Sequence, residues 1–171
     1  VISGKFSKGE KVLSKNMYLS IKYALEVLKD RFYLAEDMIS KSYEHSLDYA
    51  TGLGVKFLKG ENIISESSSG SVLYAMESLK GPFPKGEDSI SRSPHDSYNY
   101  AKFVLEGPFP KGEDSISRDP LVSMNYSMHV LKGSFLKGEE SIASDPTCSY
   151  NYAMNILKGP FPKGEDSISK D

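Results

Sequence analysis

The stretch Gly81-Pro82-Phe83-Pro84-Lys85-Gly86-Glu87-Asp88-Ser89-Ile90-Ser91 recurs unchanged from Gly107 and again from Gly159. A looser copy, Gly133-Ser134-Phe135-Leu136-Lys137-Gly138-Glu139-Glu140-Ser141-Ile142-Ala143, stands between them. The copies are 26 residues apart or multiples of 26. Self-similarity at a fixed period of this size marks a repeat array, in which each unit covers its apolar face only by stacking on its neighbours.

Anchoring each copy on its Phe extends the pattern over nearly the whole chain. The anchors are Phe6, Phe32, Phe57, Phe83, Phe109, Phe135 and Phe161, spaced 26, 25, 26, 26, 26 and 26. A Glu stands four residues after each anchor, from Glu10 and Glu36 through Glu61, Glu87, Glu113 and Glu139 to Glu165. Leu13 or an Ile stands seven after it, a Ser fourteen after it and a Tyr seventeen after it, the last running Tyr23, Tyr49, Tyr74, Tyr100, Tyr126 and Tyr152. One repeat array over 1–171 is expected, with units near 6–31, 32–56, 57–82, 83–108, 109–134 and 135–160 and a partial unit at 161–171. The ends are in phase as well. Val1-Ile2-Ser3-Gly4-Lys5 takes the slots of Ile156-Leu157-Lys158-Gly159-Pro160, so the expectation is a stretch of a longer array.

The second half of a unit reads as the longer helix. In the segment from Asp119 to Gly133, Asp119 suits the N-cap and Pro120 the first helical position. Gly133 is expected as the left-handed residue after the C-terminus, with Lys132 near the negative end of the dipole. Ser93-Pro94 and Asp145-Pro146 repeat this punctuation. Ser123, Tyr126, Ser127, Val130 and Leu131 fall at i, i+3, i+4, i+7 and i+8, one face of a helix. The first half predicts a shorter helix from Pro84 to about Arg92. Gly86 inside it costs about 1 kcal/mol against Ala, so the slot demands a small residue; Ala35 fills it in the second unit. The fold expected is an all-α open solenoid of stacked antiparallel helix pairs of about 8 and 12 residues, neither stable alone in water.

The first half of the chain is less regular. The 25-residue unit is expected to break the register, with a weak, Gly-rich helix end at Thr51-Gly52-Leu53-Gly54-Val55. Glu66-Ser67-Ser68-Ser69-Gly70-Ser71 lacks the Asp-Pro start and reads as a flexible turn.

Composition and motifs bound the function. The formal charge is −2 with no basic half, and no apolar run reaches 18 residues, so no membrane span is expected. Cys148 is the only cysteine, which leaves no disulfide framework and makes a reducing cytosol the default location. The Glu ladder does not converge on a pocket as an active site must; each Glu is expected to bond a helix N-terminus or a Tyr hydroxyl of the next unit. Lys85-Gly86-Glu87 lacks the Gly-Lys-Ser/Thr ending of a phosphate loop. His45, His95 and His129 sit at unrelated offsets and predict no metal site. Asn125-Tyr126-Ser127 matches a glycosylation acceptor but falls inside a helix. The chain is therefore read as a non-enzyme with no cofactor and no metal.

What remains is the set of outward slots on the long helices. Tyr98, Asn99 and Phe103, then Met124, Asn125 and His129, then Tyr150, Asn151 and Asn155 are the candidate partner-binding residues. Helical repeats can read single-stranded nucleic acid one base per unit. Phosphate binding wants a basic stripe, however, and each Lys such as Lys85 or Lys111 has Glu-Asp close behind. The expectation is a scaffold for a protein partner of unspecified identity, with nucleic-acid reading and a structural role in a virion as the alternatives.

The pattern carried by Phe83, Pro84, Gly86, Glu87, Ile90, Pro94, Ser97, Tyr100, Ala101, Val104 and Leu105 resembles the short two-helix tandem repeats of tailed-bacteriophage and large-DNA-virus proteins. Those repeats place Glu where this chain has Lys85. The resemblance implies a helical solenoid of viral origin, located in host cytoplasm or virion, and implies no activity.

Overall fold

The computed structural model describes Lys5 and residues 7–168. The Phe6 anchor and the slots assigned to Val1, Ile2, Ser3 and Gly4 lie outside the described residues. Among the described residues there is no strand. The fold is an all-α solenoid of stacked antiparallel helix pairs, and the chain divides into two compact units, Val1–Gly86 and Glu87–Asp171.

In the first unit the long helices are Met17–Lys22 continued by Tyr23–Leu28, then Tyr43–Leu53, then Ser68–Tyr74 continued by Ala75–Leu79. The short helices are Glu10–Leu13, Glu36–Ile39 and Glu61–Ile64. In the second unit the long helices are Pro94–Tyr100, Pro120–Tyr126 and Pro146–Tyr152, continued by Ala101–Leu105, Ser127–Leu131 and Ala153–Leu157. Short helices Glu87–Ile90, Glu113–Ile116 and Glu139–Ala143 alternate with them.

The expected eight-residue short helix is in fact two pieces. A 3₁₀ turn such as Pro110–Gly112 is closed by the Gly112 N–H on the Phe109 carbonyl at 2.9 Å, and four α-helical residues follow. The tighter turn brings the chain down onto the preceding repeat. A Cβ on Gly112 would stand 2.6 Å from Ser97 Oγ and 2.5 Å from the Phe109 ring. The requirement for a small residue at this slot is therefore steric. Ala35 occupies it fully buried in the second repeat.

The long helices begin as expected. Ser93, Asp119 and Asp145 accept from the backbone N–H three residues on, and Pro follows each. The segment read as a flexible turn is likewise a helix start, because Ser67 Oγ accepts from the Gly70 N–H at 3.2 Å. A Ser at the N-cap does the same work as Asp without the Pro.

The helix ends differ from expectation. Gly133 is not the left-handed residue; Lys132 is, at φ 53°. Lys29, Lys80, Glu106 and Lys158 do the same at φ 50–52°. The last turn of these helices is wide. The Lys132 N–H reaches back five residues to the Ser127 carbonyl, and the Gly133 N–H reaches six to the same oxygen. This π-helical turn holds one residue more than an α-helical turn would, so the left-handed position falls six residues after the buried Tyr126, against five after Tyr49 in the repeat closed by Gly54.

The 25-residue repeat follows from the same geometry. Its long helix, Tyr43–Leu53, is α-helical to its end, and Gly54 takes the left-handed position at φ 63°. The missing residue is the one the π-turn accommodates elsewhere. Register is kept: the Tyr49 and Phe57 rings meet edge-on at 5.1 Å, against 5.0 Å for Tyr74 and Phe83.

Candidate interaction surface

The in-phase residues are tied to one another. In the repeat anchored on Phe109, the Phe109 N–H donates to the Tyr126 hydroxyl at 2.9 Å, and that hydroxyl donates to Glu113 at 3.1 Å. The same relay links Phe32, Tyr49 and Glu36, then Phe57, Tyr74 and Glu61, then Phe135, Tyr152 and Glu139. The Glu partner is thus the Tyr thirteen residues on in the same repeat, not a Tyr of the next one. Burial pushes the Tyr74 and Tyr126 hydroxyls up to about 12, so they stay protonated and keep donating.

Each Tyr ring then packs edge-on against the Phe of the following repeat, as Tyr126 does against Phe135 at 5.2 Å. Each in-phase Ser caps its short helix: Ser123 Oγ donates to the Ile116 carbonyl at 2.8 Å and Ser149 Oγ to the Ile142 carbonyl at 3.0 Å. The repeated polar residues are therefore ligands for one another. This accounts for their spacing through packing and hydrogen bonding alone.

Lys111, Lys137 and Lys163 are also engaged, though not with the acids beside them in sequence. Lys111 Nζ meets Asp88 at 2.6 Å, Lys137 meets Asp114, and Lys163 meets Glu140 at 2.9 Å. Each pair joins one repeat to the one before it. The ammonium of each Lys holds its partner Asp88 or Asp114 below the usual carboxylate range. These exposed pairs contribute little individually, but they neutralise the cations along this edge.

The outward slots are unequal. Phe103 and Tyr150 are exposed, at 52% and 55%. Tyr98 is half-buried, and Lys102 Nζ bonds its hydroxyl at 3.0 Å while lying 5.1 Å from the Phe103 ring centroid. Asn99, Asn125 and Asn151 are half-buried; His129 and Asn155 are exposed. Asn155 Nδ2 donates to the Asn151 carbonyl at 3.0 Å.

Met124 is the correction. At 6% exposure it belongs to a core cluster with Ile142, Cys148, Tyr152 and Phe161. The small Cys148 leaves room that an unbranched, flexible Met fills, whereas Tyr at the same slot in its neighbours projects further out. Leu121 and Met154, exposed at 53% and 58%, were not among the expected contacts. Leu121 was hidden in the first turn after Pro120 and has no like residue at its slot in the other repeats, whereas Met154 recurs as Met76 and Met128, a recurrence that could have pointed to it.

Cys148 is buried, and desolvation pushes its thiol up to about 12, which makes it a packing residue rather than a nucleophile. Among the described residues no group of three or more His, Cys, Asp or Glu side chains is placed to hold a metal ion. No described helix is long and apolar enough to cross a membrane.

No family model matches the chain, and no curated protein or solved structure matches it significantly.

Proposed function

We propose that the array is a non-enzymatic scaffold that binds a protein partner along the exposed face of its long helices. The observation that carries this reading is the exposure of large apolar side chains outside the in-phase set of Phe, Glu, Ile, Ser and Tyr. Phe103, Leu121, Tyr150 and Met154 are all more than half exposed, while the repeated residues are internally bonded. Aromatic and Met side chains are the types enriched where proteins meet proteins. The pairing of Lys111, Lys137 and Lys163 with acids of the preceding repeat argues in the same direction, since these three lysines already have carboxylate partners in place of phosphates.

The test is affinity capture with the array as bait, with and without nuclease, read by mass spectrometry at two salt concentrations. A stoichiometric protein that survives nuclease and salt, and is lost with Phe103→Ala and Tyr150→Ala together, supports the scaffold. Loss of every captured protein on nuclease treatment would overturn it in favour of a nucleic-acid reader.

A further inference from the structure

The irregular repeat opens a groove found in the first compact unit. It lies between the helix Met17–Lys22 with its continuation Tyr23–Leu28 and the helix Tyr43–Leu53, and encloses about 440 Å³. Gly52 creates it. The slot of Gly52, three residues after the buried Tyr, holds Glu26, Glu77, Phe103, His129 or Asn155 in the other repeats. Here a Cβ would stand 2.8 Å from Leu25 Cδ2, so the Leu25 side chain lies over the glycine and floors the groove together with Ile21.

The rim carries the chemistry. The Tyr18 ring lines one side and is 66% exposed. Asp48 lines the other, is exposed, and has no ion-pair partner among the described residues. Glu26 also lines it and is paired, at 3.9 Å, with Lys22. His45 is tethered through Nδ1 to Ser42 Oγ at 2.7 Å. Two carboxylates against one lysine leave the groove net negative, with an apolar floor and an aromatic wall.

We propose that this groove receives an arginine side chain of a partner protein. Guanidinium stacks on an aromatic face while forking onto a carboxylate, which an ammonium does less well. The chain itself shows the combination: Arg31 lies 4.9 Å from the Tyr33 ring centroid and bonds both oxygens of Glu36, at 2.7 and 2.9 Å. In the groove, Tyr18 supplies the ring and Asp48 the free carboxylate, while the aliphatic stem covers Leu25. The inference rests on the protein-scaffold reading and gives its partner one recognisable feature.

The test is an NMR titration of the whole chain with N-acetyl-arginine amide, with N-acetyl-citrulline amide as the neutral isostere. The expected result is saturable shifts at the amides of Tyr18, Leu25, Asp48 and Gly52 with arginine only, weakened at least about tenfold by Asp48→Asn, about 1.4 kcal/mol. Asp48 is exposed, so this variant folds; Gly52→Leu, which fills the groove, should abolish the shifts. Equal shifts with citrulline, no shifts at these amides, or stronger shifts with spermidine than with arginine would overturn the proposal. Affinity capture separates the two readings. Capture that persists after a failed titration sinks the groove alone, whereas a positive titration without any captured protein sinks the scaffold alone.

Discussion

The Tyr126 hydroxyl donates to the Glu113 carboxylate across 3.1 Å while accepting the Phe109 N–H at 2.9 Å, so one buried oxygen joins both helices of its repeat to the anchor. Tyr126→Phe removes only that oxygen. It strands a buried backbone N–H, and an unsatisfied buried donor costs about 1–3 kcal/mol. Tyr126→Ala also empties the space beneath Phe135 and should cost about 3–5 kcal/mol. Urea denaturation of both variants checks the pair; a loss below about 1 kcal/mol for the alanine variant would contradict the burial of this ring.

The two kinds of glycine should behave oppositely. Gly112→Ala drives a methyl group into Ser97 and Phe109, and such overpacking costs about 1–3 kcal/mol despite the better helix propensity of Ala. Gly107 has ordinary φ, and its nearest neighbour to an added Cβ is the Leu105 carbonyl at 3.7 Å. Gly107→Ala should therefore be neutral or stabilise by about 0.4–1 kcal/mol through the unfolded chain. Thermal melts of the two variants decide it, and equal effects would mean that neither glycine is held by contact.

The N-cap Asp145 couples stability to pH. Its carboxylate accepts the Cys148 N–H at 2.7 Å, and that bond holds it below the usual carboxylate range. A depressed carboxylate contributes stability that is present above its unfolded pKa and is lost as pH falls through the folded value. Asp145→Ala should thus cost about 0.5–2 kcal/mol at pH 7, and the difference from wild type should shrink once the pH drops below about 4. Asp145→Ser keeps the cap without the titrating group, so its difference from the alanine variant should persist in acid. Chemical denaturation at a series of pH values reads both trends.

The parts of this architecture legible in the sequence are those in which one residue type recurs for one physical reason. Phe109, Glu113, Ile116, Ser123 and Tyr126 show their spacing because all five bond or pack against one another within a fixed geometry. What periodicity missed depends on a single residue more or less. Gly133 carries the usual sign of a left-handed helix end, but Lys132 holds that position, and no pattern of apolar residues distinguishes the two. Met124 shares its slot with Tyr98 and Tyr150 and turns inward because of what lies across from it, Cys148 and Phe161. Inward or outward at a variable slot is set by the neighbouring repeat, which a reading along one helix cannot see.

The π-turn offers the strongest test of how the repeat is built. In the repeat anchored on Phe32 the last turn is α-helical, one residue shorter and closed by Gly54, and its Tyr49 ring still meets Phe57 of the next repeat at the usual distance. The same change should be transferable. Deleting Val104 while replacing the left-handed Glu106 by Gly shortens Ala101–Leu105 to the form seen in Tyr43–Leu53. The substitution relieves a left-handed side chain worth about 1–2 kcal/mol, which offsets part of any local repacking. The double change should cost no more than about 2 kcal/mol, within the range of ordinary substitutions. Deleting Ser89 instead shortens the thirteen-residue span between Glu87 and Tyr100, breaking their hydrogen bond and shifting Ile90 out of the core. That deletion should cost more than about 4 kcal/mol. Denaturation of the two variants compares them directly, and a structure of the first should show a plain α-helical end with Tyr100 still edge-on to Phe109. Equal destabilisation by both would mean that the wide turn is itself required for stacking, and that the shorter repeat survives by some other compensation.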